Sequence, residues 1–565
     1  MALLFTGLDY LNNLIYPKKI GENAHVEYTW SKDTQERIVQ LFFQLTRTDD
    51  DECINKLSIL TTKLLTDIQS EYKAKNITRD EYIDKMCIMY KLLLHTRDIE
   101  SGKGECRLGY MLLNAWYNFH RSLGEIAFEA FILQENDMRQ LGSWKDVKYM
   151  WKYYKNSTLI NVGISSMVAQ LKKDVASDDP SLAAKWAPRE SSSFGGMYEK
   201  LAIAYYPEFM NSAKDSTSKN RAIVKAKMSL RKILVSLNKK LDTVQIKQCA
   251  NQWDKIDPSK QTSITMHRQK KAFLNLTLHG NKQRCNDLRR IECADNFTTY
   301  ATKASSGEVI VKGKNVGMND FTSNAALIMH QSMESPEVQL LNAQWKDNSK
   351  INGNLGKMVA MVDTSGSMSG DPIKAAIALG IRISEHSVLG NRIMTFSDTP
   401  SWVDLDISGE FVGKVQKIFS SAWGTSTNFY KAFDMILDVI VANKIPAIDV
   451  QDMVLVILSD MQMNLADKSY DGAMIDVMTE KYSVAGKAIN GEAYSLPHIL
   501  FWNLRSTDGF PSLSTQKNTT MMSGFSPVLL NEFCDKGMSA LENTTPWNMM
   551  CRALDKPRYN RFENA

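Results

Sequence analysis

From residue 33 to 170, apolar side chains recur at three- and four-residue intervals. That spacing lays one apolar stripe along a helix and predicts successive amphipathic helices. The segments are ERIVQLFFQLTRT, CINKLSILTTKLLTDIQSEY, RDEYIDKMCIMYKLLLHTRD, GYMLLNAWYNFHRSL and KDVKYMWKYY, with no strand pattern between them. The Ser-, Asp-, Pro- and Gly-rich stretch ASDDPSLAAKWAPRESSSFGG (176–196) reads as an irregular junction. Helical spacing then resumes in MYEKLAIAYYPEFM. It continues through RAIVKAKMSLRKILVSLNKKL, QIKQCANQWDKI and SITMHRQKKAFLNLTL, where Lys and Arg fill the outward positions. SSGEVIVKGKNVGMNDF (305–321) reads as a loop or extended arm, with one further helix after it.

From Lys357 the period changes. Short β-rich runs (MVAMV, RIMTF, MVLVIL, HILFWNL) alternate with helical ones (PIKAAIALGIRISEHSV, FYKAFDMILDVIVAN, GAMIDVMTEKY), and WVDLD reads as an edge strand. NTTMMSG supplies a last strand, and a return helix starts at SPVLLNEF. Such alternation is the signature of βαβ units and a mostly parallel, doubly wound sheet. The fold class is therefore α plus α/β. A helical part spans 1–350, with paired helices that read as HEAT-like repeats, and an α/β part spans 357–565.

Length and composition agree with this division. A chain of 565 residues exceeds one hydrophobic core and should hold about three structural units. At 44% hydrophobic and 23% charged it has an ordinary globular composition. Eight scattered cysteines without a C-x-x-C pair suit reduced thiols, and the spacing of His279, Cys285 and Cys293 fits no zinc module. No run of about 18 apolar residues is present, and the N-terminus lacks the basic n-region of a signal peptide. These features predict a soluble, cytoplasmic protein with no membrane partner. The net charge of +5 conceals an asymmetry: residues 200–303 hold 21 Lys and Arg against 8 Asp and Glu. So one-sided a segment favours a polyanionic partner. Arg221, Lys225, Lys227, Arg231, Lys232, Lys239, Lys240, Arg268, Lys270 and Lys271 are the candidate phosphate contacts, and Trp253, His267 and Phe273 the candidate base-stacking groups. A single charged helix face is more often merely solvated, and a single Trp or Phe at helical spacing is more often core.

In a doubly wound sheet, ligands gather in the loops leaving the carboxyl ends of strands. Three such loops carry oxygen donors: Asp363-Thr364-Ser365-Gly366-Ser367, the Thr425-Ser426-Thr427 loop, and Ser459-Asp460. Asp363, Ser365, Ser367, Thr427 and Asp460, with neither His nor Cys, form a hard donor set suited to Mg²⁺, or to Mn²⁺ or Ca²⁺. Two serines and a threonine add no negative charge and the two carboxylates are expected to act partly through water, so such an ion keeps net positive charge and an open position for a partner's carboxylate. Gly366 is expected to permit the tight turn between the two serines. This order of residues is that of the metal-ion-dependent adhesion site of von Willebrand factor A-type (vWA) domains. The competing enzymatic reading is a haloacid-dehalogenase-type phosphatase with Asp363 as nucleophile. It lacks the second acidic residue of DxDx, because Ser365 stands there.

DTSGSMSGDP, FSDTP, WGTSTNF, LSDMQ, FWNLR and SGFSP resemble the C-terminal motifs of the DUF2828 family of plants, fungi, bacteria and giant viruses. TRDIESGKGE, LAAKWAPRESSSFG, YEKLAIAYYP, MSLRKIL and QWDKI resemble its N-terminal half. More remotely, the chain is similar to the TROVE and Ro 60 kDa autoantigen architecture, a ring of helical repeats closed by an A-type domain. That likeness implies a non-enzymatic ribonucleoprotein component that binds RNA on a basic helical surface. The alternative is a protein–protein scaffold acting through the metal site.

Overall fold

The structure is a computed structural model that describes residues 17–561, apart from 21–25, 136, 156, 279–281, 398, 407–408, 422–428, 463–473, 535–540 and 542–543. A hairpin of β1 (Lys18–Ile20) and β2 (Val26–Tyr28) precedes helices α1 (Thr34–Gln44), α2 (Asp51–Lys73), α3 (Arg79–Arg97), α4 (Cys106–Phe119), α5 (Arg121–Ile132), α6 (Lys145–Tyr154) and α7 (Leu159–Val175). The helix expected across 109–123 is two helices. His120 adopts an extended conformation and its ring accepts the Leu123 N–H as an N-cap, so the chain turns there. After the irregular junction come α8 (Gly195–Tyr205), α9 (Ser216–Lys240), α10 (Ser263–Phe273) and α11 (Leu288–Ser305). Two helices, α12 (Met318–Ile328) and α13 (Pro336–Ser349), stand where one was expected before the sheet. The arm before them is pinned, since Gly313 lies so close to Gln344 that a Cβ there would fall 1.8 Å from its carbonyl oxygen.

The α/β part holds a six-stranded sheet of order β5-β4-β3-β6-β7-β8, built from β3 (Lys357–Asp363), β4 (Arg392–Phe396), β5 (Ser401–Asp404), β6 (Met453–Ser459), β7 (His498–Asn503) and β8 (Thr519–Ser523). All pairings are parallel except β4 with β5; the expected edge strand is at the edge, and it runs antiparallel. Nearly every residue of β3, β6, β7 and β8 is buried, so both faces are covered and the strands read as unbroken apolar runs. Helices α14 (Asp371–His386), α15 (Phe411–Phe419), α16 (Phe429–Ala442) and α17 (Met474–Asn490) accompany the sheet, and α18 (Pro546–Leu554) follows it. SPVLLNEF forms a 3-10 segment rather than an α-helix.

The helical and sheet parts are laced together at both chain ends. Helix α1 lies along the β8 edge, where Asn503 Nδ2 donates to the Phe43 carbonyl and the Ser523 hydroxyl to that of Phe42. The C-terminal tail returns to α3, placing the Tyr559 hydroxyl on Asp98 at 2.8 Å. The TRDIESGKGE segment is the junction of these ties. Arg97 pairs with buried Asp146, Glu105 with Arg47, and Glu100 with Arg558. Lys103 crosses to the carbonyls of Phe42 (2.5 Å) and Leu45 (2.9 Å) and to the Ser523 hydroxyl (2.6 Å). Gly102 is required because a Cβ there would meet the His95 carbonyl oxygen at 2.1 Å. One hydrophobic core accordingly runs from α1 to Tyr559, with a smaller one beneath α10 and α11. No described helix is long and apolar enough to cross a membrane.

Candidate metal centre and basic surface

Parallel register sets the polar row at the carboxyl ends of the central strands. Val362 pairs with Leu458, so Asp363 and Ser459 end neighbouring strands, and Ser459 in turn pairs with Asn503. Strand β4 lies on one side of β3 and β6 on the other, so this row sits where the winding reverses. Asp363 is fully buried. Its Oδ1 accepts the Ser365 N–H at 2.9 Å and its Oδ2 the Ser459 hydroxyl at 2.6 Å. The Ser365 and Ser367 hydroxyls lie 3.1 Å apart. Asp460 is also buried, and its Oδ2 has no hydrogen-bond partner among the described residues. Met461 takes a left-handed φ of 63°, costly for a side chain without local hydrogen-bonding ability, and Gln462 N–H turns back to Asp460 Oδ1 at 3.2 Å.

Burial dominates the electrostatics. It pushes the Asp363 carboxyl up to about 7, with the Asp460 charge adding to the rise and the Ser459 and Ser365 bonds opposing it. Burial raises Asp460 as well, tempered by the Ser367 hydroxyl and by Arg505. Asp363, Ser365, Ser367 and Asp460 are therefore brought together, while Thr427 and its alternative Thr425 lie outside the described residues. Gly366 does not play the part expected of it. Its φ is not left-handed and a Cβ there would meet nothing within 4 Å; the left-handed glycine is Gly370, at φ 96°.

Two neighbours were not singled out from sequence. Ser459 was visible only as the residue before Asp460. Arg505 lay within FWNLR; its Nη2 donates to the Ser369 carbonyl at 2.7 Å, tying the β7 loop to the serine loop. Beside Asp460 a cleft of about 320 Å³ opens, lined by Met461, Gln462, Arg505, Cys53 and Lys56, where the start of α2 faces the strand-end loops. Among the described residues, no three His, Cys, Asp or Glu side chains cluster as a metal site, so the hydroxyl donors matter to any cation site here.

The basic candidates divide into two groups. Lys227 and Arg231 are paired with Glu190, Lys240 donates to the Ser177 carbonyl, and Lys271 to that of Leu278. Lys270 is only 4% exposed, and burial lowers its pKa to about 8. Arg221, Lys225, Lys232, Lys239 and Arg268 are exposed, with no ion pair among the described residues. The first four, spaced by four, seven and seven residues along α9, return to within about 40° of one direction and form a line roughly 27 Å long. The expected stacking groups are otherwise engaged. Phe273 stacks on Phe297 in the core, His267 is buried against Asn324, and Arg290 covers Trp253 at 3.9 Å.

Comparison with known proteins places two family models on the chain. Residues 357–557 match a domain of unknown function, DUF7788, and residues 134–350 match a second, DUF2828. The motifs from DTSGSMSGDP onward thus fall within the DUF7788 match, not the DUF2828 one. The chain is also similar to an uncharacterized protein of Acanthamoeba polyphaga mimivirus, 28% identical over 495 residues that cover 83% of this chain and 79% of that protein.

Proposed function

We propose that this protein is a non-enzymatic, Ro-like RNA-binding protein whose C-terminal part is a vWA-type domain holding Mg²⁺, or Mn²⁺ or Ca²⁺. The helical part is read as HEAT-like and TROVE-like, and its ligand as single-stranded RNA or another polyanion. A cytoplasmic setting, in a host cell or a virion, goes with that reading.

The observation that supports the metal half is the buried Oδ2 of Asp460, which has no hydrogen-bond partner among the described residues, with the Ser367 hydroxyl near the same carboxylate and that of Ser365 beside it. A buried carboxylate oxygen without a partner is costly, and a hard cation is what oxygen donors of this kind accept. Asp460, Ser365 and Ser367 would hold the ion, with Asp363, both of whose oxygens are already engaged, acting through water. When bound, the ion supplies positive charge at an open position for a carboxylate. Ser365 at the second acidic position of DxDx leaves a phosphatase without its general acid, which favours binding over turnover.

The RNA half rests on the line of four α9 cations that have no ion pair among the described residues, because aligned charge of this kind suits a phosphate backbone. The test is binding of a labelled single-stranded RNA to the full chain, before and after Lys225, Lys232 and Lys239 are changed to Glu. Binding lost in the variant supports the reading. No binding even at low salt overturns it, and the scaffold reading, favoured by the cleft beside Asp460, takes its place.

A further inference from the structure

A second cationic surface lies outside the basic segment, where α6 meets the irregular junction and the start of α8. Lys148 stands 5.2 Å and Lys145 6.0 Å from the Trp186 ring centre, and Lys185 approaches the same ring at 5.8 Å. Lys148 also lies 5.8 Å from the Phe194 ring, and Arg189 is close enough to act on its charge. None of these four cations has an acidic partner among the described residues. The neighbouring Glu190 is taken by Lys227 and Arg231 of α9. Burial, reinforced by Arg189 and Lys145, depresses the pKa of half-buried Lys148, and burial alone depresses that of Lys185. Like charges gathered without a counter-charge raise the energy of the free protein, and an anion relieves it. The half-buried indole adds a flat π surface to which cations are drawn in the absence of a ligand.

We propose that Trp186 with Lys145, Lys148, Lys185 and Arg189 is a nucleotide-binding site for single-stranded RNA, in which the indole stacks on a base and the cations take the adjoining phosphates. This site rests on the RNA reading given above. Glu190, next to Arg189, pairs with Lys227 and Arg231 on the flank of α9, so the site and the α9 line lie on neighbouring elements. A base is favoured over an acidic peptide because the cations surround an aromatic face, and stacking on such a face tolerates any base.

The experiment measures affinity of the full chain for a 2-aminopurine-labelled oligoribonucleotide, comparing the parent with Lys148→Glu/Arg189→Glu, with Trp186→Leu, and with the α9 variant. The expected result is a loss of about tenfold or more for the double variant. For Trp186→Leu it is a loss of about fivefold or more, with weaker aminopurine quenching. Patch variants that bind like the parent, while the α9 variant fails, overturn this site and leave the RNA reading standing. A parent that does not bind at low salt overturns both. A polyglutamate peptide that competes as well as RNA overturns the assignment in favour of an acidic polypeptide. Should a variant not fold, acetylation footprinting of the unsubstituted chain decides: RNA protecting Lys148 and Lys185 supports the site, and unchanged reactivity overturns it.

Discussion

The Ser459 hydroxyl donates a 2.6 Å hydrogen bond to Oδ2 of Asp363, joining the ends of two neighbouring parallel strands inside the protein. That bond opposes the desolvation of a fully buried carboxylate. Ser459→Ala leaves Oδ2 unpaired and is expected to destabilise the metal-free protein by about 1–3 kcal/mol in urea unfolding. Unchanged stability would show that the two strand ends are not coupled in this way.

His498 is buried, with Nε2 on the Thr520 hydroxyl at 2.7 Å, and burial lowers its pKa to about 4. His267, also depressed by burial, lies at about 3. An unfolded histidine takes up its proton near 6.5, so between 6.5 and about 4 the unfolded state binds more protons. This contribution to stability is fully present above pH 6.5 and falls as the pH drops, by roughly 3 kcal/mol for His498 across that window. His498→Gln should flatten that part of the Tm–pH profile; a profile as steep as the parent's would refute the assignment.

Lys103 holds the C-terminal carbonyls of α1 against the end of β8. Lys103→Met takes the ammonium donor from the Phe42 and Leu45 carbonyls and leaves the single Ser523 hydroxyl to serve both, a cost of about 1–3 kcal/mol, so thermal unfolding should move down by several degrees. Proteolysis between α1 and α2 should quicken as well. A Tm within a degree of the parent would mean that α1 is held chiefly by apolar packing.

The sequence carried the period change at Lys357, the strand order of the oxygen donors and the basic character of α9, because repeated spacing and strand-end position follow from backbone geometry alone. It did not carry which cations are free. Lys227 and Arg231 look no different in sequence from Lys225 and Lys232, and the distinction depends on Glu190 folding back from the junction. Nor does the TRDIESGKGE segment reveal that Asp98 and Lys103 find their partners at Tyr559 and Ser523, more than 400 residues away. Phe273 and Trp186 have similar local contexts, yet one is core and the other half-buried at the surface, a difference set by tertiary packing.

The α9 line also fixes a salt dependence. Its four phosphate contacts to single-stranded RNA should contribute about −3 to the slope of log K against log salt, at about −0.7 per contact. Each of Lys225→Gln, Lys232→Gln and Lys239→Gln should shallow it by about 0.7. A slope that these changes do not alter would place the phosphates elsewhere.

Calorimetric titration of Mg²⁺ into the chelator-treated full chain, set beside Asp460→Asn, tests the strand-end site most directly. The account predicts one saturable site in the parent, a Tm rise on Mg²⁺ addition, and loss of both in the variant, whose metal-free Tm is not lowered because an uncompensated buried charge has been removed. Equal Mg²⁺ binding by parent and variant, or none by the parent, would contradict it.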